Sequence, residues 1–365
     1  MELSGNFRKS SGSFDKDVWK VPHAVGSPRE RDSVTVRVPG TSANLGCGFD
    51  CIGMALDIWN ELTVERAPRF EILIEGEGEA VLPRDESNLV CKGVQVAFDA
   101  AGVKVPPLRY IMKNAVPFAR GLGSSSAAIV SGIVAGLILC GHELPVEGEE
   151  ALLQLAAEIE GHPDNVAPAV YGGLQIGCYS ERWHTERVRV PHGLQCILFI
   201  PDFASETSSA RAILPDKYDK KDCVFNLSRT ALLVNSFSTG NLDSLRIACE
   251  DRMHQPYRSE SNPHLYPLIE AAHDAGAHAA FLSGAGPSVM AFASGLKGDV
   301  FSQRQLERTD KLVAQAMLEA AASVGVKGRV FITSPTEKGA HVWAATPPFS
   351  ETSVKQYGGG SWKEL

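Results

Sequence analysis

The sequence has no C-x-x-C pair among its eight cysteines, so it lacks the usual spacing of zinc ribbons and thiol redox motifs. Most of these cysteines lie in apolar stretches, as Cys140 and Cys196 do, which is typical of small buried residues in a reducing compartment. No apolar run approaches the roughly 18 residues that a membrane span needs. Positive charge is not in excess either, since the net charge is −8. These absences disfavour disulfide scaffolds, membrane proteins and nucleic-acid-binding proteins, and they leave a small-molecule site open.

A length of 365 residues favours two domains. Residues 1–32 are polar, carry both charge signs and have no apolar signal-peptide core, so we expect a flexible extension and a cytoplasmic protein. Acidic residues in this segment disfavour an organellar transit peptide. We expect one domain over residues 33–192, a second over 193–345, and a loose Gly/Ser/Thr-rich tail over 346–365.

Strand and helix patterns are interleaved, which indicates an α/β or an α+β protein. Of these we expect an α+β protein with two lobes. Val34, Val36 and Val38 alternate at strand period, and Pro39-Gly40 is expected to break that strand. The other patterns are strands in FEILIEGEGE, CILFIPD, AAFLSG, SVMAFA and GRVFIT, and helices in EEALLQLAAEIEG, PLIEAAHDAG and TDKLVAQAMLEAAASVG.

The stretch VPFARGLGSSSAAIV (116–130) combines two glycines with three consecutive serines before an apolar run. Glycines let a backbone approach a ligand closely, and a helix N-terminus presents unpaired N–H groups that suit phosphate. A tight loop entering a buried helix would look the same. The stretch matches neither G-x-x-x-x-G-K-[ST] nor G-x-G-x-x-G, so it is not one of the common nucleotide fingerprints, and a Rossmann oxidoreductase is disfavoured.

Two further glycine-rich turns favour the phosphate site over a simple tight loop. They are VPGTSANLGCGFDCIGMAL (38–56) and FLSGAGPSVMAF (281–292). Together the three resemble the signature motifs of the GHMP small-molecule kinases over about residues 34–345. The resemblance implies an ATP-binding first lobe, a ferredoxin-like second lobe, an active site in the cleft between them, and a homodimer. It places ATP phosphates on the central loop, with the third turn bracing that loop. The implied ATP contacts are Pro117, Phe118, Ala119, Arg120, Gly121, Leu122, Gly123, Ser124, Ser125, Ser126 and Ala127.

Four segments resemble the members of this family that phosphorylate a hydroxy amino acid: PGTSANLGCGFD (39–50), EIEGHPDNVAPAVYGGL (158–174), DFASETSSARAILP (202–215) and DRMHQPYR (251–258). Such a zwitterion needs cations for its carboxylate and an acid for its ammonium. Arginine provides a planar fork that grips a carboxylate better than lysine does. The implied substrate contacts are Arg211 and Arg258 for the carboxylate, Asp50 for the ammonium with Asn44 beside it, and His162, Asp164 and Asn165 along the pocket, with Asn165 near the attacking oxygen.

Magnesium is implied by the same resemblance, with Ser125 and Glu158 as its ligands and Glu160 as the competing carboxylate. Residues two apart on a helix point in different directions, so only one of the two glutamates should face the loop. Thr41 stands where mevalonate kinases and galactokinases have a lysine, and no general base is evident. Phosphoryl transfer tolerates this because alignment and charge stabilisation dominate its catalysis.

The adenine site is implied near DESNLV (85–90), where Asn88 is either a base contact or part of a surface turn. Another GHMP alcohol kinase of the mevalonate type is the nearest alternative, and Arg211, Arg258 and the missing lysine disfavour it. A sensor built on the kinase fold would lose its metal and phosphate residues, but both Ser125 and Glu158 are present.

Overall fold

The computed structural model describes residues 31–141, 146–205, 207–294 and 308–348. Most of the predicted extension (1–32) and most of the predicted tail (346–365) therefore lie outside the described residues. Within the described ranges, no helix combines the length and hydropathy that crossing a bilayer demands.

The described residues form two sheets with helices packed on them. The strands are β1 (Ser33–Asn44), β2 (Gly48–Arg66), β3 (Glu71–Gly76), β4 (Leu108–Asn114), β5 (Leu174–Tyr179), β6 (Trp183–Val188), β7 (Leu194–Pro201), β8 (Ala279–Leu282), β9 (Val289–Ser294), β10 (Gly328–Thr333) and β11 (His341–Thr346). The helices are α1 (Leu89–Ala100), α2 (Ser124–Leu139), α3 (Val146–Glu160), α4 (Val166–Tyr171), α5 (Thr207–Ala212), α6 (Lys220–Thr239), α7 (Leu245–Ala248), α8 (Gln255–Arg258), α9 (Leu265–Asp274) and α10 (Thr309–Ser323). A 3-10 turn, Leu242–Ser244, precedes α7.

The first sheet has seven strands, five of them in the order β11-β1-β2-β4-β3, with β5 and β6 continuing from β2. Val34, Val36 and Val38 are completely buried, as their alternation predicts. They pack with the inner faces of β2 to β4 against α1, α2 and α3 in one core. α2 is buried on nearly all sides, because the sheet lies beneath it and α1 and α3 flank it.

The expectation that Pro39-Gly40 ends the first strand is wrong. β1 continues to Asn44, and its pairing with β2 shifts register between Pro39 and Gly40. A bulge accommodates proline in a strand, because the bulged position leaves the ladder. Just beyond this bulge, the Thr41 amide donates to the Leu122 carbonyl at 3.0 Å, so the irregularity joins β1 to the glycine–serine loop.

The second sheet is antiparallel in the order β10-β7-β9-β8. Its chain order of strand, helices, two strands, helix and strand gives the expected ferredoxin-like arrangement. One face packs on α9 and α10. The other packs on α6 and on the β1–β2 hairpin, so a shared core joins the two lobes. The predicted boundary at residue 193 falls in the link between β6 and β7, but β11 returns to the first sheet and pairs with β1.

Candidate active site

The glycine–serine loop joins β4 to α2 and is bent by three residues with positive φ, namely Ala119 (+51°), Gly121 (+72°) and Gly123 (+68°). A Cβ on Gly123 would lie 1.9 Å from Thr41 Oγ1, so only glycine fits there. α2 begins at Ser124 without a side-chain cap, which leaves its first amide groups available at the mouth of the loop. These amides and the positive helix end suit a phosphate chain.

A cavity of about 490 Å³ opens in front of this loop. It is lined at the loop by eight consecutive residues, 118–125, and at its far side by residues that include Asn60, Leu82, Pro83, Asn88, Met112, Glu160, His162, Asn165, Ser205 and Gly284. Pro117, Ser126 and Ala127 were expected to contact the nucleotide, but they do not line the cavity. The reason is that α2 is buried, so Ser126 and Ala127 turn into the core with no exposed surface.

Asn88 has a third role that neither sequence interpretation named. Its Oδ1 accepts from the Val90 amide at 3.2 Å and caps α1, and its Nδ2 donates to the Pro83 carbonyl at 2.7 Å. The residue is only 3% exposed, so it is not in a surface turn. It lines the cavity while its amide group fixes the start of α1.

Glu160, and not Glu158, faces the glycine–serine loop. The Ser125 hydroxyl donates to Glu160 Oε2 at 3.1 Å, and both residues line the cavity. Glu158 is exposed, so the expectation that it faces Ser125 is wrong. The helix geometry explains this, because Glu158 lies about 200° around α3 from Glu160.

The oxygens of Ser125 and Glu160 are of the hard type that Mg²⁺ prefers. Among the described residues, no group of three or more His, Cys, Asp or Glu side chains could hold a metal ion. A two-ligand protein site suits magnesium, which commonly takes its remaining ligands from phosphates and water. The residues present therefore fit a magnesium ion that binds together with a nucleotide.

Thr41 links the loop to the predicted acceptor group. Its hydroxyl contacts Gly123, as above, and donates to Asn165 Oδ1 at 2.8 Å. With Oδ1 engaged in this way, the Nδ2 group of Asn165 is the part of the amide that can donate to a ligand. The segment that carries Asn165 packs tightly on β2, because a Cβ on Gly53 would lie 1.6 Å from the Asp164 carbonyl oxygen.

His162 and Asp164 form a short hydrogen-bonded pair, with Nδ1 and Oδ1 2.5 Å apart. Burial alone would lower the pKa of His162, but the Asp164 carboxylate outweighs it and, with smaller contributions from Asp50 and Glu160, raises this pKa to about 9. His162 is therefore an imidazolium at neutral pH. The same Asp164 oxygen accepts from the Asn165 amide at 2.9 Å and so fixes the turn before α4.

Asp50 and Arg211 were expected to bind opposite ends of a zwitterion, and the structure pairs them with each other. Both terminal nitrogens of Arg211 contact the two Asp50 oxygens at 2.8 Å. The hydrogen bond to Asp50 raises the pKa of Arg211. The side chains remain 45% and 31% exposed, so the pair is open to water.

Arg258, unlike Arg211, is buried, with only 2% of its surface exposed. Its Nε donates to the Ala210 carbonyl at 3.1 Å, and its Nη1 contacts the Gly284 carbonyl at 3.1 Å and His254 Nδ1 at 3.2 Å. Burial is the main reason that the pKa of Arg258 falls to about 10. Among the described residues, no carboxylate forms an ion pair with this guanidinium, so it is a buried cation held by neutral acceptors.

The third glycine-rich turn braces the other two motifs, as expected. The Ser42 and Ser283 hydroxyls are 2.8 Å apart, and the Ser283 hydroxyl donates to the Gly121 carbonyl at 2.8 Å. Asn44 joins this turn to the acidic residue, because its Nδ2 donates to the Gly284 carbonyl (2.9 Å) and its Oδ1 accepts from the Asp50 amide (3.0 Å).

The predicted substrate residues form two hydrogen-bonded groups, and only part of them lines the cavity. His162 and Asn165 line it directly, while Asn44 and Arg258 reach it through the carbonyl of Gly284. Sequence reasoning gave no role to Ser42 or His254. Both stand inside segments that carry the family resemblance, which is the signal that could have identified them.

Two family models match the chain. The model of the GHMP kinases N terminal domain matches residues 88–173, and the model of the GHMP kinases C terminal region matches residues 232–327. The first match spans the glycine–serine loop, Glu160 and Asn165, and the second spans Arg258 and the third glycine-rich turn.

Individual proteins are similar over most of the chain. A homoserine kinase of Moorella thermoacetica is 42% identical over 84% of this chain and 99% of its own length. One of Carboxydothermus hydrogenoformans is 39% identical over 84% of this chain and 96% of its own length. The crystal structure of homoserine kinase from Cytophaga hutchinsonii superposes with a TM-score of 0.74 at 25% identity, covering 87% of this chain and all of that one.

Proposed function

The chain belongs to the homoserine kinase family within the GHMP kinases, and from this membership we propose that it transfers the γ-phosphoryl group of ATP to the side-chain hydroxyl of L-homoserine, giving O-phospho-L-homoserine for threonine biosynthesis. It is an ATP-dependent kinase that acts on an alcohol and uses Mg²⁺. The observation that carries the substrate assignment is the buried Arg258, a cation that pairs with no carboxylate among the described residues. It lies one carbonyl group away from the cavity in front of the glycine–serine loop.

At the nucleotide end, the loop amides and the start of α2 bind the triphosphate. Ser125 and Glu160 would hold a magnesium ion, and such an ion would offset charge on the transferring phosphoryl group. The apolar side of the cavity, near Leu82 and Met112, receives the adenine.

At the amino-acid end, Arg258 and Arg211 bind the substrate carboxylate and Asp50 binds its ammonium group. Because Asp50 and Arg211 already pair with each other, the zwitterion inserts between them and exchanges one ion pair for two. The carboxylate also gives Arg258 an anionic partner, which no described residue supplies. An uncharged diol at the same place would separate Asp50 from Arg211 without replacing their ion pair, and it would bring no anion to Arg258.

The substrate hydroxyl lies near Asn165, whose orientation is set by Thr41. The hydroxyl oxygen bonds to the γ-phosphorus while the bond from that phosphorus to ADP breaks, and the hydroxyl proton leaves to the phosphoryl oxygens or to water. His162 does not take this proton, because at neutral pH both of its ring nitrogens already carry a hydrogen. The side chains therefore catalyse by alignment and charge stabilisation.

A coupled measurement of ADP release across related alcohols tests this assignment. We expect L-homoserine to be the best acceptor, with kcat/KM lower by about 10²-fold or more for 4-hydroxybutyrate, 3-aminopropan-1-ol and mevalonate, since each leaves a charged group of the pocket unpaired. Preference for mevalonate would contradict the proposal and favour the mevalonate-type alternative.

Assembly and compartment are further parts of the proposal. The family resemblance supports a homodimer, which sedimentation would reveal as a species of twice the chain mass of 39.2 kDa. A cytoplasmic address is supported by the cysteines, since all eight are free thiols in the described structure.

A further inference from the structure

His254 lies between the glycine-rich hairpin and Arg258, just before α8. It has no exposed surface, and its ring stacks on Phe49 with the centroids 5.4 Å apart. Its Nε2 is 2.7 Å from the Gly46 carbonyl oxygen, and its Nδ1 is 3.2 Å from Arg258 Nη1. Both ring nitrogens are therefore engaged, each by a different segment.

These two partners allow one protonation state of the ring. A carbonyl oxygen only accepts hydrogen bonds, so Nε2 must carry a proton. A guanidinium nitrogen only donates, so Nδ1 must be bare. An imidazolium would set an N–H at Nδ1 against the N–H of Arg258 Nη1, which no hydrogen bond can satisfy.

The charged groups around His254 agree with a neutral ring. Burial lowers its pKa, the Asp251 carboxylate and more weakly Asp50 raise it, and the Arg258 cation lowers it again, with a net shift downward. Asp251 Oδ2 lies 3.6 Å from Nε2, but it accepts from the backbone amides of His254 (2.9 Å) and Gln255 (2.7 Å). Asp251 therefore fixes the turn into α8 and does not bind the ring.

Arg258 is held by acceptors from three parts of the chain. Ala210 in α5 takes its Nε–H, Gly284 in the third turn takes one Nη1 hydrogen, and His254 takes the other. Three of the five guanidinium N–H groups are thus used, and the two on Nη2 form no hydrogen bond within the described structure. Without an acceptor at Nδ1, the buried Nη1 group would lose a partner, and two acceptors in place of three would orient the guanidinium plane.

We propose that His254 is a positioning residue, which acts as the neutral Nε2–H tautomer to hold the guanidinium of Arg258 in the orientation that receives the substrate carboxylate. This rests on the proposed function, in which Arg258 binds that carboxylate. His254 itself does not touch the substrate.

A matched pair of amide variants separates the two ring nitrogens. In His254→Asn the amide oxygen lies near the position of Nδ1, which keeps the acceptor for Arg258 and loses the donor to Gly46. In His254→Gln the amide nitrogen reaches the position of Nε2, which keeps that donor and loses the acceptor. We expect His254→Gln to raise the KM for homoserine about tenfold or more with kcat and the KM for ATP within about twofold, and His254→Asn to stay within about threefold of the wild type.

A merely structural role is distinguished by a substrate without a carboxylate. With 3-aminopropan-1-ol as acceptor, the difference in kcat/KM between His254→Gln and wild type should vanish, because Arg258 no longer has a partner to position. Urea unfolding of both variants shows whether they fold. The proposal would be overturned if His254→Gln lost kcat/KM equally with both acceptors. It would also be overturned if the two variants had equal KM values for homoserine, or if only His254→Asn had a raised KM.

A spectroscopic measurement tests the positioning separately from the substrate. In ¹⁵N–¹H correlation spectra of the whole protein at pH 7, His254 should show the Nε2–H tautomer, and the Nδ1 shift should move in Arg258→Gln. An Nδ1–H tautomer or an imidazolium at pH 7 would overturn the proposal. If wild-type protein does not phosphorylate homoserine, the proposed function fails, whereas this spectrum still decides whether His254 holds Arg258.

Discussion

At the proposed phosphate end of the site, the groups available to the ligand are backbone amides and small hydroxyls from one short loop. At the proposed amino-acid end, they are long charged side chains from separate segments. The loop residues 118–125 are consecutive and line one cavity. Asp50, Arg211 and Arg258 come from β2, α5 and α8 and meet only in the folded chain. One end is therefore a local structure and the other a tertiary assembly.

The two ends also differ in how their charged groups are stabilised. Phosphate binding by amides buries no ionised side chain, so the loop needs no counter-charge when its ligand is absent. The amino-acid end contains cations, and it stabilises them in two ways, by an ion pair open to water at Arg211 and by carbonyl and imidazole acceptors at the buried Arg258. We therefore expect removal of a charge to have a larger effect at Arg258 than at Arg211, because a buried charge loses more when its surroundings change.

Of the substitutions at the two ends, Arg258→Gln should have the largest effect. Loss of the buried guanidinium is expected to raise the KM for homoserine about 10²–10³-fold while the KM for ATP changes by less than about threefold. Steady-state kinetics with each substrate varied in turn measures this. Arg252→Gln is a matched control, since Arg252 is 48% exposed and pairs with Asp222. A larger effect on ATP than on homoserine would break the division between the two ends.

Glu160→Gln tests the phosphate end. Loss of this carboxylate should lower kcat about 10–100-fold and raise the Mg²⁺ concentration needed for half-maximal rate, because the ion loses one of its two protein ligands. Glu158→Gln is the matched control two residues away, and its exposed side chain predicts rates within about twofold of wild type. The assignment of the ligand to Glu160 is wrong if the two variants exchange these behaviours in a magnesium titration.

Arg211→Gln should have a smaller effect than Arg258→Gln. We expect the KM for homoserine to rise about tenfold, because water and salt screen this exposed guanidinium. The free energy of unfolding should fall by less than about 1 kcal/mol. Asp50→Asn is expected to raise the same KM, and urea unfolding with homoserine titrations would measure both. A loss of stability as large as that of Arg258→Gln would contradict the contrast between the two arginines.

The smallest predicted effect is a pH dependence of stability due to His162. Its folded pKa of about 9 lies above the unfolded value near 6.5, so the folded protein binds more protons between these values and loses this stabilisation as pH rises through that window. Between pH 7 and pH 8 the contribution should fall by about 1 kcal/mol. Urea unfolding at several pH values measures it, and His162→Asn should remove this part of the slope. An unchanged slope in that variant would assign the pH dependence to other groups.

The local part of this site could be predicted well from the sequence. The GLGSSS loop at the start of α2, the alternation of Val34 to Val38 and the third turn were all expected where the structure has them. Glu158 was expected as the ligand, with Glu160 as its competitor, and this expectation was wrong, because helix periodicity says that the two point apart but not which one faces Ser125. The ion pair of Asp50 with Arg211 was not predicted, since separate resemblances gave each residue its own ligand contact.

The sequence by itself determined the elements, the phosphate loop and the membership of a kinase family, because these depend on glycine conformation, side-chain periodicity and motifs within short stretches. Only the tertiary structure decided which carboxylate meets Ser125, which arginine is buried, and that His254 accepts from it. The packing that decides these features joins residues far apart in the chain, as the hydrogen bond between Asn44 and Gly284, 240 positions apart, shows. Local propensity carries no information about such pairs, because the packing of two lobes on a shared core sets their distances.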